Sequence, residues 1–159
     1  VNAYAASTMF AVDRFASYQE DWGRFYESGG VILANRYTTS NAVHQAPKLP
    51  DGERQIYLEW LFDLEYHRLC LPEPDLVLYL DMPTEAASRL MRRRERETNT
   101  QADIHEQDID YLRRCRAGAR EIAEAQGWVI VNCAFGNTPR TPEDIHREAL
   151  AIVLARLSH

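Results

Sequence analysis

Apolar residues crowd the start of the chain at helical spacing. Ala5, Met9, Phe10, Val12, Phe15 and Trp22 predict a helix from Ala3 to Tyr26 that is apolar all round, more than one buried stripe requires. The chain starts at Val1 and enters this helix at once, a pattern expected of a start in mid-protein. Gly29-Gly30 supplies the left-handed backbone of a C-cap, and Val31-Ile32-Leu33-Ala34 reads as a short strand buried on both faces. Asn35 to Gly52 shows neither period. Asp51-Gly52-Glu53 opens a helix with Ile56, Trp60, Leu61, Leu64 and Arg68 on one face, stopped by Pro72 and Pro74.

Asp75 to Asp81 is the clearest strand, and Pro83-Thr84-Glu85 starts a helix that runs into Arg89, Arg92, Arg93, Arg94 and Arg96. Thr98 to Ala102 is polar and expected to be mobile. A helix from about Glu106 to Gln126 leads through Gly127 into a third strand, Trp128 to Cys133. Thr141, Pro142, Glu143 and Asp144 supply an N-cap, a first-turn proline and first-turn acids, so the last helix should run from Pro142 to about Leu157. Strands alternating with long helices predict an α/β fold: one domain over 1–159, a three-layer parallel sheet with helices on both faces.

Composition narrows the function. The chain has 159 residues and a formal charge of −6, and no apolar run approaches the roughly 18 to 20 residues of a membrane span. A cytoplasmic protein without a membrane role is expected. Cys70, Cys115 and Cys133 are too few and too scattered for a disulfide framework and are expected to be buried, reduced thiols. The five histidines show no paired metal-ligand spacing, so no zinc site is expected. Of the 18 basic residues only Lys48 is a lysine, and the arginines cluster in one short segment rather than a long basic stripe. That disfavours nucleic acid and suits bidentate contacts to phosphate.

In open α/β sheets, ligands sit beyond the carboxyl ends of the strands, which singles out Asn35-Arg36-Tyr37-Thr38-Thr39-Ser40-Asn41. An arginine there can grip an anion, and the hydroxyls and amide can read a polar ligand. Read alone, Phe10 is a core aromatic and Arg14 a surface partner of Asp13 or Asp21.

Phe10 to Arg14, Asn35-Arg36-Tyr37 with Ser40-Asn41, Pro74 to Asp81, and Tyr111 to Gly118 occur together in the order and approximate spacing of the thymidylate kinases, and the chain resembles that family over nearly its whole length. The resemblance implies a P-loop NTP hydrolase-like fold that moves the γ-phosphoryl group of ATP to dTMP, giving dTDP, with Mg²⁺. It makes Phe10 the ring stacked on thymine, Arg14 the donor to O4, Arg36 the monophosphate ligand and Asn41 the amide that reads the base. His44 falls where the family often packs a residue on the deoxyribose. Arg92, Arg93, Arg94 and Arg96, in a segment spanning about 92–106, resemble the lid that closes on the ATP phosphates. The family commonly dimerises through helices, so a homodimer is expected.

Three departures accompany the resemblance. Asn35 stands where the family usually has aspartate, and an amide lacks the charge that helps hold Mg²⁺ or its waters. Ile104, in Asp103-Ile104-His105-Glu106, replaces an arginine common at the lid's end. No GxxxxGK[ST] phosphate loop occurs in these residues. The resemblance therefore implies that the first strand, that loop and the second strand are missing, and that the chain by itself is inactive. The alternatives are a kinase for another deoxynucleotide or deoxynucleoside, and a noncatalytic nucleotide-binding regulatory protein.

Overall fold

A computed structural model describes residues 2–98 and 109–158. The expected mobile stretch from 99, the closing lid residues 103–106 and the expected start of the following helix lie outside the described residues. Backbone contacts divide the chain into two compact units, Val1–Glu73 and Pro74–His159.

The first unit is helical. Helix α1, Ala3–Ser17, is capped by Asn2, whose side chain accepts from the Tyr4 amide. It continues through a π-helical turn, Tyr18–Trp22, into α2, Gly23–Glu27. Gly29 ends the run at φ 90°, a conformation that costs a Cβ-bearing residue. The long helix is as expected, but Ala3, Ser7 and Ala11 form its buried stripe while Met9, Phe10 and Val12 face outward.

Residues 31–34 form no strand, contrary to the sequence expectation. A strand exists only with a partner to complete its ladder, and no described residue pairs with this run; Leu33 is 91% exposed. The polar stretch that follows is not irregular either. It contains α3, Thr38–Gln45, and a 3₁₀ turn, Ala46–Lys48, with Thr38, Asn41, Ala42, Gln45 and Ala46 buried. This helix hides its polar side chains, so it carries no apolar stripe to betray it.

Helix α4, Asp51–Phe62, runs into a π-helical segment, Asp63–Arg68. Its buried residues are Tyr57, Leu58, Leu61 and Glu65, whereas Ile56 and Arg68 of the expected face are exposed. Near-continuous apolar residues from Ile56 to Phe62 leave the phase undetermined. A buried hydrogen bond of 2.6 Å between Ser7 and the Tyr57 hydroxyl helps to select it. Burial pushes the Tyr57 phenol up to about 12. Tyr4 packs edge-on against Tyr57 and Trp60, tying α1 to α4.

The second unit is built on a parallel pair. Strand β1, Leu78–Asp81, aligns with β2, Val129–Asn132, so that Leu78 faces Val129 and Asp81 faces Asn132. Val129 N–H to the Val77 carbonyl at 3.0 Å and Cys133 N–H to the Asp81 carbonyl at 2.8 Å extend the ladder. Strand β1 begins at Leu78 rather than Asp75 because, among the described residues, the ladder with β2 reaches back only to the Val77 carbonyl. The crossover carries α5, Thr84–Thr98, and α6, Ile109–Ala125, and Gly127 turns into β2 at φ 67°. A small antiparallel hairpin, β3 Ala134–Phe135 with β4 Thr138–Pro139, was not foreseen.

Helix α7, Pro142–Leu157, has the expected bounds, with the Thr141 hydroxyl accepting from the Asp144 amide at 3.2 Å. Among the described residues the sheet has two parallel strands, so the expected three-layer arrangement is not seen. Cys115 and Cys133 are buried as expected, but Cys70 is exposed. No described helix is long and apolar enough to cross a membrane.

Candidate active site

The first unit holds the residues expected to bind the acceptor nucleotide. On α1, Phe10 and Arg14 are one turn apart and share a face. Phe10 is 51% exposed, which corrects its reading as a core aromatic. Arg14 turns inward to Glu65, with Nε donating at 2.6 Å and Nη2 at 3.3 Å, and neither Asp13 nor Asp21 is its partner. Its guanidinium lies 5.2 Å from the centre of the Tyr37 ring. Burial raises the Tyr37 phenol's pKa, and its hydroxyl donates to the Pro72 carbonyl at 2.9 Å.

Glu65 was not foreseen from the sequence. It is fully buried at 0% exposure and gathers donors from three residues on two helices: Arg14 of α1, and from α3 the Thr38 hydroxyl at 2.7 Å and the Asn41 amide nitrogen at 3.4 Å. A buried carboxylate persists where charge-assisted hydrogen bonds replace lost water. Its placement near the end of an apolar-looking helix was the available signal, because glutamate is almost never fully buried without partners.

Arg36 lies just before α3 and His44 within it. Arg36 adopts φ 72°, a strained region for a residue with a Cβ, of the kind that clusters at functional sites. Its Nε donates to Ser40 at 3.1 Å, and no described carboxylate pairs with its exposed guanidinium. Loss of hydration lowers the His44 pKa, and the cations Arg36 and Lys48 lower it further. The imidazole is accordingly neutral near pH 7. The structure thus joins Arg14 and Asn41 through Glu65 and brings Arg36 near His44; Phe10 remains an exposed ring on the Arg14 face.

The second unit carries the arginines expected in the lid, and they sit on helix α5. Arg93 pairs with Glu97 at 2.7 Å, an i,i+4 contact, whereas Arg92 and Arg96 are exposed with no described carboxylate partner. Asp81, at the end of β1, is 2% exposed. It receives Arg116 Nε at 2.6 Å, Arg116 Nη2 at 2.9 Å and Arg120 Nη1 at 2.6 Å. Burial opposes its charge, but the hydrogen bonds from the two arginines outweigh burial and hold the carboxyl below its usual range. Arg113 bridges Glu85 at 2.8 Å and Asp110 at 3.0 Å.

A thymidylate kinase family model matches residues 1–147. The chain belongs to the thymidylate kinase family. It is 33% identical over 130 residues to a thymidylate kinase of Mycobacterium tuberculosis, covering 80% of this chain and 59% of the relative. A thymidylate kinase of Synechococcus is 30% identical over 151 residues, covering 95% of this chain and 62% of the relative. A probable thymidylate kinase of Thermococcus gammatolerans is 27% identical over 149 residues, covering 94% and 63%. The chain therefore spans about three-fifths of the length of these relatives. Membership implies a P-loop NTPase type of α/β fold.

The donor set near Arg36 fits a phosphate better than a metal ion. Asn35 offers an amide, and the described residues hold no group of three or more His, Cys, Asp or Glu placed to bind a cation.

Proposed function

We propose that the protein to which this chain belongs phosphorylates dTMP to dTDP with ATP, and that the first unit forms its acceptor site. The carrying observation is that Arg14 and Asn41, the two expected base readers, are anchored on one buried carboxylate. In this reading Phe10 stacks on the thymine ring, Arg14 donates to O4, Asn41 reads the base edge, His44 packs on the sugar and Arg36 holds the monophosphate. An exposed ring and a guanidinium without a carboxylate partner suit those two contacts.

Phosphoryl transfer needs positioning and charge stabilisation more than covalent chemistry from the protein. Arg36 fixes the acceptor oxygen, and Arg92, Arg93, Arg94 and Arg96, in a lid segment spanning 92–106, face the ATP phosphates. ATP is the phosphoryl donor in this reading and Mg²⁺ its companion ion, held mainly by the substrate phosphates and waters. A cytoplasmic homodimer belongs to the same reading. Calorimetric titration tests the acceptor site: dTMP should bind in preference to other monophosphates, and Phe10→Ala or Arg36→Ala should weaken it at least about tenfold, as expected for losing a stacked ring or a charged hydrogen bond. Equal binding of all monophosphates would contradict the assignment.

A further inference from the structure

We propose that Glu65 is a positioning residue that sets the hydrogen-bond polarity of the base-reading pair and so selects a thymine-type edge over a cytosine-type edge. The inference rests on the acceptor-site reading above and adds a residue that would itself touch no substrate.

Both carboxylate oxygens of Glu65 accept hydrogen bonds. Oε2 accepts from Arg14 Nε at 2.6 Å and Thr38 Oγ1 at 2.7 Å; Oε1 accepts from Arg14 Nη2 at 3.3 Å and Asn41 Nδ2 at 3.4 Å. A carboxylate that receives a guanidinium and a hydroxyl acts only as an acceptor. It therefore dictates which end of the Asn41 amide faces it. The NH₂ end must turn to Glu65, which turns the acceptor oxygen away from it. The same contact holds Arg14, a group that can only donate.

The resulting pair is one fixed donor and one fixed acceptor. Thymine presents the complement, an acceptor at O4 and a donor at N3–H. Cytosine presents the reverse, a donor at its 4-amino group and an acceptor at N3. A site built to hydrogen-bond one pattern rejects the other because mismatched polar groups stay unpaired. Thr38 has a separate part: its hydroxyl holds the carboxylate from the α3 side, so the hub does not depend on Arg14 alone.

Glu65→Gln is nearly isosteric and tests polarity rather than size. The glutamine oxygen suits the crowded position of Oε2, where Arg14 Nε and Thr38 donate. Its NH₂ then faces both Asn41 and Arg14 Nη2; Arg14 loses that longer contact but keeps its Nε bond, while Asn41 must rotate to offer its oxygen. The amide reaching toward the base becomes a donor and no longer matches N3–H. Glu65→Asp keeps an acceptor-only carboxylate at shorter reach.

The experiment is calorimetry of dTMP and dCMP binding to the wild-type chain, Glu65→Gln and Glu65→Asp. The expected result is wild-type preference for dTMP, a fall of about tenfold or more in the dTMP-to-dCMP affinity ratio in Glu65→Gln, and a ratio retained in Glu65→Asp with weaker binding of both. A folded Glu65→Gln with the wild-type ratio, or equal loss of the ratio in both variants, overturns the proposal while leaving the acceptor-site reading intact. Failure of the wild-type chain to bind dTMP refutes that reading and this one with it. Should Glu65→Gln fail to melt cooperatively, ¹⁵N spectra of the wild-type chain decide. Arg14 Nε–H should stay protected from solvent exchange with and without dTMP, and loss of protection on dTMP addition overturns the proposal.

Discussion

At the scale of single residues, two buried carboxylates organise the chain. Asp81 holds Arg116 and Arg120 beneath the end of β1, and its carboxyl is held below the usual range. A depressed carboxyl contributes stability that is present above its unfolded value, near pH 4, and lost as pH falls through the folded value. The acid limb of a pH–stability profile should therefore flatten below about pH 4 in Asp81→Asn. Removing the charge should also cost about 1 to 3 kcal/mol near pH 7, less than for a sealed pair because the partially exposed arginines can turn to water. Urea melts across pH check both.

The Ser7–Tyr57 contact makes a second residue-scale case. Tyr57→Phe leaves the fully buried Ser7 hydroxyl without its 2.6 Å partner and should destabilise the chain by about 1 to 3 kcal/mol in the same assay. In the wild type, burial should delay ionisation of the Tyr57 phenol to well above the ordinary tyrosine value, read as the difference in phenol absorbance between wild type and Tyr57→Phe across a pH titration.

At the scale of elements, what the sequence reveals depends on whether an element's partners are local. Helix α7 is legible to its bounds because its cap, first-turn proline and acids all lie next to it. Thr141→Ala should cost about 1 kcal/mol, read as a lower melting temperature without loss of any nucleotide affinity. Residues 31–34 are the opposite case: apolar patterning promises a strand, but pairing is a long-range property, and none of the described residues provides it. Helix α3 is hidden from the sequence pattern because its inward face carries Thr38, Asn41 and Gln45, and the first two are held inside by hydrogen bonds to Glu65 rather than by hydrophobicity. The candidate site follows the same division. Arg36 and Asn41 stand out by position, and Arg14 by its spacing from Phe10, whereas Glu65 looks like one more acidic residue on a helix until donors from α1 and α3 meet on it.

At the scale of the whole molecule, the two compact units divide the resemblance between them: the expected acceptor residues fall in Val1–Glu73 and the arginine-rich helix α5 in Pro74–His159. Family membership rests on a match over residues 1–147, and the relatives are longer than this chain. Acceptor recognition is thus the part of the proposed activity that can be tested directly on these 159 residues. The most direct measurement is calorimetric titration of this chain with dTMP against dCMP, dAMP and dGMP, repeated with Arg36→Ala. Preferential dTMP binding that falls at least about tenfold in the variant is the predicted result. Absent or indiscriminate binding by the folded wild-type chain would contradict the account and favour a family member that has kept the fold without the acceptor site.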